Sequence, residues 1–332
     1  MTRLRRVDPA MPGWTRRRAG KGFSYLDADG RRLPEEDVER IRSLAIPPAW
    51  TDVWICPVEN GHLQATGTDD AGRRQYLYHP DWRGKRDREK FEKITAAAEH
   101  LPRARRQISK DIAGDGMGLE RACATAARLL DVGYFRIGND AYADANGSFG
   151  LTTLERRHVR RRGDSLVFSF EGKSGIAHTV VVDDAAAVAA LEVMRSRRTE
   201  DQRLLAHKGA GHWRPLTSGD VNAYLSELFD GTVTAKDFRT WHATVIAAEV
   251  LALTEEPGDS KASRQRAIKQ AVLETSNYLG NTAAIARNSY IDPRVITQYE
   301  AGNTIKEAAT KRHRTPTARQ AALERALLEL LA

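Results

Sequence analysis

Apolar and polar positions change period along the chain, and the change divides it. Residues 22–32 alternate apolar and polar and then reach Asp29-Gly30, which predicts a β-hairpin turning there. Val38, Ile41 and Leu44 recur at helical spacing within a short helix predicted over 34–44. Residues 51–58 and 63–67 read as further strands, and the first 20 residues, rich in Arg, Gly and Pro, as a loose arm. From Phe91 the period becomes helical. Helices are predicted over 91–101, 103–112 and 119–130, the last with Leu119, Ala122, Cys123, Ala126 and Leu130 on one stripe. The basic stretch 80–88 between the two regimes reads as a linker, giving a small β-rich domain over 1–88 and a mainly helical one over 89–332.

Within the second part, residues 149–154 read as a strand, and 165–170 and 176–182 as a hairpin with Lys173 at its tip. Gly172-Lys-Ser invites a phosphate-loop reading, but the glycine required five residues earlier is Val167, and no helical pattern follows. Further helices are predicted over 185–197, from Leu216 to Phe229, from Thr234 to Leu253, over 299–310 and over 318–332. In the helix from Thr234, Phe238, Trp241, Val245, Ile246 and Val250 form the apolar stripe, and Asp237 stands three residues after Thr234 as in a capping box. Arg239 then falls in the first turns, where a helix attracts anions, and with Lys236 it suggests a held phosphate.

The stretch 279–293 reads Leu-Gly-Asn-Thr-Ala-Ala-Ile-Ala-Arg-Asn-Ser-Tyr-Ile-Asp-Pro. Gly280 reads as the stop of one helix and Thr282 as the N-cap of a short one, which ends near Tyr290 ahead of Pro293. Asn281 and Tyr290, nine residues apart, would face opposite ways on one continuous helix; a break between them lets both reach one site.

Charge adds a partner to this picture. The formal net charge is +8 over 332 residues, with Arg156, Arg157, Arg160, Arg161 and Arg162 clustered, and a second cluster at Arg83, Lys85, Arg86, Arg88 and Lys90. A polyanion such as nucleic acid fits these runs. Arg73 and Arg74 beside Gln75, Tyr76 and Tyr78 form a strand face suited to phosphates and bases. Cys56 and Cys123 lack the spacing of a disulfide framework or a zinc site and read as small buried hydrophobes. No His-Glu-x-x-His stretch and no membrane-length apolar run occurs, so no metal and no membrane are expected, and the residues after Met1 lack the apolar core of a signal peptide.

Taken in order, Arg136, Lys173, Lys236-x-x-Arg239, Asn281 and Tyr290 resemble the type IB DNA topoisomerases, in particular the compact poxvirus-type group also found in bacteria. The likeness extends to the stretches 46–53, 72–78, 135–138, 150–154 and 172–173. It implies an α+β chain in which a small β-rich N-terminal domain precedes a mainly α-helical catalytic domain containing a small sheet. It implies Tyr290 as nucleophile forming a 3′-phosphotyrosine, Lys173 as general acid with Lys236 as a second proton relay, and Arg136 and Arg239 on the nonbridging oxygens. Gln75, Tyr76 and Tyr78 would contact duplex DNA, which the two domains clamp. No ATP, nucleotide cofactor or metal is implied, and a monomer working in the cytoplasm on the nucleoid is. The family usually carries a histidine where this chain has Asn281, which donates a hydrogen bond without carrying charge. Two alternatives share much of the pattern: a tyrosine recombinase, and a basic protein that binds DNA without chemistry.

Overall fold

The computed structural model describes residues 3–139, 147–231, 233–254 and 260–332. The chain is α+β and divides into two compact units, Met1–Phe91 and Glu92–Ala332.

The first unit is built on a five-stranded antiparallel sheet of order β2-β1-β3-β4-β5. Its strands are β1 (Trp14–Ala19), β2 (Gly22–Leu26), β3 (Thr51–Ile55), β4 (Leu63–Thr68) and β5 (Arg74–Tyr78). β2 pairs with β1, from Thr15 opposite Leu26 to Ala19 opposite Gly22, through a turn at Gly20, and the chain reverses again at Asp29-Gly30 as expected, where Leu26 faces Arg32 in an antiparallel bridge. The arm predicted over the first 20 residues therefore contains a strand. Its arginines concealed the alternation, because Arg16 is a structural residue. Its guanidinium stacks over Phe23 and donates to the carbonyls of Ile46, Pro47 and Trp50. The core of the unit gathers Ile41, Ile46, Val53, Ile55 and Ala65. Cys56 is fully buried, as its pattern predicted. The basic stretch read as a linker is instead the start of a helix, Pro80–Glu99: proline suits a first helical turn, and i,i+4 pairs such as Arg83 with Asp87 and Lys85 with Glu89 carry its charge.

The second unit is mainly helical. Its centre is the helix Ala235–Leu253, capped by Thr234 and Asp237 as the pattern predicted, but buried well beyond one stripe: Arg239, Thr240, His242 and Thr244 are enclosed along with Phe238, Trp241 and Val245. Around it lie the helices Leu101–Ile112, Leu119–Gly133, Ser218–Leu228, Lys261–Leu279 and Pro316–Leu331. A three-stranded antiparallel sheet of β6 (Val159–Arg162), β7 (Ser165–Glu171) and β8 (Ala177–Val182) forms one edge. A two-stranded ribbon, β9 (Ala206–Gly209) with β10 (His212–Pro215), had no expectation from the sequence.

Two further expectations are corrected. Residues 149–154 are not a strand: Leu151–Thr153 form a single 3₁₀ turn, with Thr153 Oγ1 bonded at the Gly150 backbone. Residues 299–310 are not one helix. Pro293–Glu300 and Lys306–Thr310 are separated at Gly302, whose φ of +88° no helix accommodates. Among the described residues no helix is long and apolar enough to cross a membrane.

Candidate active site

The site forms where three chain reversals meet. At the first, helix Leu119–Gly133 ends with Tyr134 in left-handed geometry, φ 53°, and the chain continues through Arg136 outside any helix or strand. Main-chain bonds fix that segment, since the N–H groups of Leu151 and Thr152 donate to the carbonyls of Arg136 and Ile137 at 2.7 and 2.8 Å. At the second, helix Lys261–Leu279 ends on Gly280, φ +56°. The left-handed residue turns the chain so that Asn281 leaves the helix and Thr282 caps the next one, Ala283–Ser289, by accepting from Ile285 N–H. The third is the end of that short helix at Tyr290, before Asp292 caps Pro293–Glu300. Thr244, on the central helix, holds this corner: its hydroxyl accepts from Asp292 N–H at 3.2 Å and lies 3.3 Å from the Tyr290 carbonyl.

The break between Asn281 and Tyr290 does bring both side chains to one place. Arg136 spans them, donating through Nη2 to Asn281 Oδ1 and through Nη1 to Tyr290 Oη at 3.4 Å. Arg239 approaches from the other side, its guanidinium 5.6 Å from the centroid of the Tyr290 ring. Only 4% exposed, Arg239 donates to the carbonyls of Tyr134 and Leu279, so it ties together the ends of two of the converging helices. Arg136 Nε, Arg239 Nε and Asn281 Nδ2 are buried without a hydrogen-bond partner among the described residues. Arg136 and Arg239 thus flank one phenol, and Asn281 is tied to it through Arg136.

Their charges act on one another. Burial by itself raises the Tyr290 pKa, but the charges of Arg136, Arg239 and Lys236 and the bond from Arg136 outweigh it, so the phenol is held below its ordinary value. Burial and the neighbouring Arg136 bring Arg239 down to about 10, opposed by Tyr290. Such an assembly accepts added negative charge readily.

Lys173 and Lys236 are exposed, Lys173 in the turn between β7 and β8 and Lys236 in the first turn of the central helix. In the first unit, Tyr76 and Tyr78 lie exposed on one face of β5 with stacked rings, centroids 6.2 Å apart. Gln75 faces the other side, bonded to Asp69, which Arg73 also engages. Arg74 donates to Thr66 and to the Asp52 carbonyl. The clustered arginines separate in role. Arg156 donates to the carbonyls of Arg197, Thr199 and Asp201 and so braces a loop, whereas Arg157 is exposed, paired with Glu155 and lying over the Phe149 ring.

The family model described as eukaryotic DNA topoisomerase I, catalytic core, matches residues 79–317, and that of the bacterial DNA topoisomerase IB N-terminal domain matches residues 22–69. The chain belongs to the type IB DNA topoisomerase family. Its enzyme class is therefore that of a DNA topoisomerase, an isomerase. DNA topoisomerase 1B of Acanthamoeba polyphaga mimivirus is 27% identical over 290 residues, covering 85% of each chain. DNA topoisomerase I of Monkeypox virus is 20% identical over 230 residues, 69% of this chain and 70% of its own. DNA topoisomerase 1 of Schizosaccharomyces pombe is 29% identical over 171 residues, which are 51% of this chain but only 20% of that longer protein.

In this topoisomerase the structure also brings to the site residues that the sequence pattern did not single out. Tyr134 offers its carbonyl to Arg239, and His178 on β8 lines the same pocket as Arg136 and Arg239. The signal for His178 was the alternation of β8, which puts His178, Val180 and Val182 on the inward face.

Proposed function

We propose that this topoisomerase relaxes supercoiled duplex DNA by transient cleavage of one strand through Tyr290, without ATP or metal. The observation that supports this most directly is the Arg136 bridge between Asn281 and Tyr290, with Arg239 against the same ring. In the reaction, Tyr290 Oη attacks the scissile phosphorus in line. A phosphotyrosine bond forms at the 3′ side as the P–O5′ bond breaks. Arg136, Arg239 and Asn281 donate to the nonbridging oxygens, whose charge grows in the pentavalent transition state. The departing 5′-oxygen takes a proton from Lys173, with Lys236 as a second relay. The freed strand rotates and its 5′-hydroxyl attacks back, so the ester energy is retained and no nucleotide is consumed. Tyr76, Tyr78, Arg73, Arg74, Gln75 and Arg157 contribute contacts to the duplex, those of Gln75 requiring release from Asp69. We assign Arg156 to the framework of that surface rather than to DNA, given its three main-chain acceptors.

The test is relaxation of negatively supercoiled plasmid in EDTA without ATP, with wild type and Tyr290→Phe. Wild type relaxes and leaves a denaturation-resistant protein–DNA adduct; Tyr290→Phe binds DNA and does neither. Relaxation by Tyr290→Phe, or a requirement for divalent metal, refutes the mechanism.

A further inference from the structure

The turn between β7 and β8 is closed by Gly172 N–H donating to the Ile176 carbonyl at 2.8 Å, with Lys173 immediately after Gly172. One residue into β8, His178 turns inward and stacks on Phe170, its cross-strand partner, with centroids 5.2 Å apart and planes at 14°. The remaining surface of the imidazole meets two glycines from different elements. A methyl group at Gly172 would lie 2.6 Å from both Cδ2 and Nε2, and one at Gly280 would overlap Cε1. Gly172 precedes Lys173, and Gly280 precedes Asn281. The ring therefore fills the space between the hairpin that carries Lys173 and the turn that delivers Asn281 and, beyond it, Tyr290.

We propose that His178 is a positioning residue for strand cleavage, a spacer that sets how far Lys173 reaches toward the phosphodiester gripped by Arg136, Arg239 and Asn281. The inference rests on the assignment of Lys173 as general acid. A lysine stem is long and flexible, so its ammonium can be aimed only by the backbone that bears it. That backbone ends in an exposed turn, and what lies between it and the Asn281 turn is this ring. Burial and the charges of Arg239 and Arg136 lower the His178 pKa, which keeps the ring neutral beside two guanidinium groups. A displacement on the order of 1 Å at a reacting group can cost about a hundredfold in rate.

The test is single-turnover cleavage of duplex oligonucleotides, at a position mapped with wild type, carrying either the natural oxygen or a bridging sulfur at the 5′ side of the scissile phosphate. Sulfur departs as a thiolate, whose conjugate acid has a pKa of about 8.5, and needs no proton from the enzyme. His178→Ala is expected to cleave the oxygen substrate about a hundredfold more slowly than wild type, and the sulfur substrate within a few-fold of it. Gly172→Ala supplies a second perturbation at an ordinary φ of −94°, where the added methyl displaces the ring without straining the backbone. It should show the same selective loss, and the double variant should be no slower than His178→Ala alone. Thermal melting of each variant confirms the fold. Equal slowing of both substrates by His178→Ala, or slowing of neither, overturns the proposal. Lys173→Ala separates the two assignments. If sulfur rescues Lys173→Ala but not His178→Ala, the spacer alone is wrong; if it does not rescue Lys173→Ala, the general acid is wrong and the spacer falls with it.

Discussion

Tyr290, the proposed nucleophile, lies under two opposing influences, enclosure that favours the neutral phenol and cations that favour the phenolate, and the cations win. A free tyrosine ionises near about pH 10. The depressed value predicts that single-turnover cleavage rises with pH and levels off below that point. Removing a cation restores the phenol, so in Arg136→Ala the plateau should move to higher pH. The same variant should lose about a hundredfold or more in rate, as when an oxyanion donor is deleted. Asn281 offers one neutral donor, so Asn281→Ala should cost less, about tenfold or below. A pH–rate series on the three proteins checks all of this; a larger loss in Asn281→Ala than in Arg136→Ala would contradict the assigned roles.

At the scale of elements, the site stands on a buried ionic cluster that joins four helices. Arg105 of Leu101–Ile112 donates twice to Asp131 of Leu119–Gly133, at 2.8 Å each, and twice to Glu324 of Pro316–Leu331. His242 of the central helix lies 3.2 Å from Asp131, and its ring packs against Tyr134 with centroids 4.7 Å apart. Tyr134 in turn receives Arg239, so the cluster supports the left-handed corner from behind. Burial alone would raise the Asp131 pKa, but Arg105 and the His242 bond hold it well below the usual carboxylate range. A depressed carboxylate stabilises the fold above its unfolded pKa of about 3.9, and the contribution is lost as pH falls through the folded value. Asp131→Asn leaves Arg105 with a weakened partner in the interior and should cost about 3 kcal/mol at neutral pH. Denaturant titrations at pH 7 and near pH 3 should show the gap between wild type and variant closing in acid. A constant gap would mean that the carboxylate charge is not what holds the helices.

For the whole molecule, the net charge of +8 makes DNA binding salt-sensitive, and two kinds of contact can be told apart. Arg157→Ala removes a proposed phosphate contact and should lower the slope of log K against log salt by about one. Tyr76→Ala removes an exposed stacking ring and should weaken binding while leaving that slope unchanged. Arg156→Ala should instead lower the melting temperature, because the loop carbonyls it serves lose their donor. Salt-series binding isotherms and thermal melts on the three variants distinguish these outcomes.

Local chemistry was sufficient for much of this protein. Gly280, Thr282 and Pro293 punctuate the chain around Asn281 and Tyr290 through φ preferences, capping and a missing N–H, all of which act within a few residues. The β7–β8 turn under Lys173 and the capping box of Thr234 with Asp237 are local in the same sense. Where charge covered a local pattern, the reading failed, as at Trp14–Ala19 and at Pro80–Glu99, because a strand can be lined with arginine when the carbonyls that receive it lie elsewhere in the chain, and a basic run can be helical when carboxylates one turn on pair with it. Which arginine braces a loop and which faces solvent was likewise undetermined, since Arg156 and Arg157 are adjacent and differ only in what the fold sets beside them. The placement of His178 between Gly172 and Gly280, more than a hundred residues apart in the chain, and of His242 behind Tyr134 depended on packing between separate elements. Sequence by itself determined the candidate reacting groups and the breaks that free them; tertiary structure decided which charges surround Tyr290, because electrostatic coupling and burial depend on distances that residue spacing does not contain.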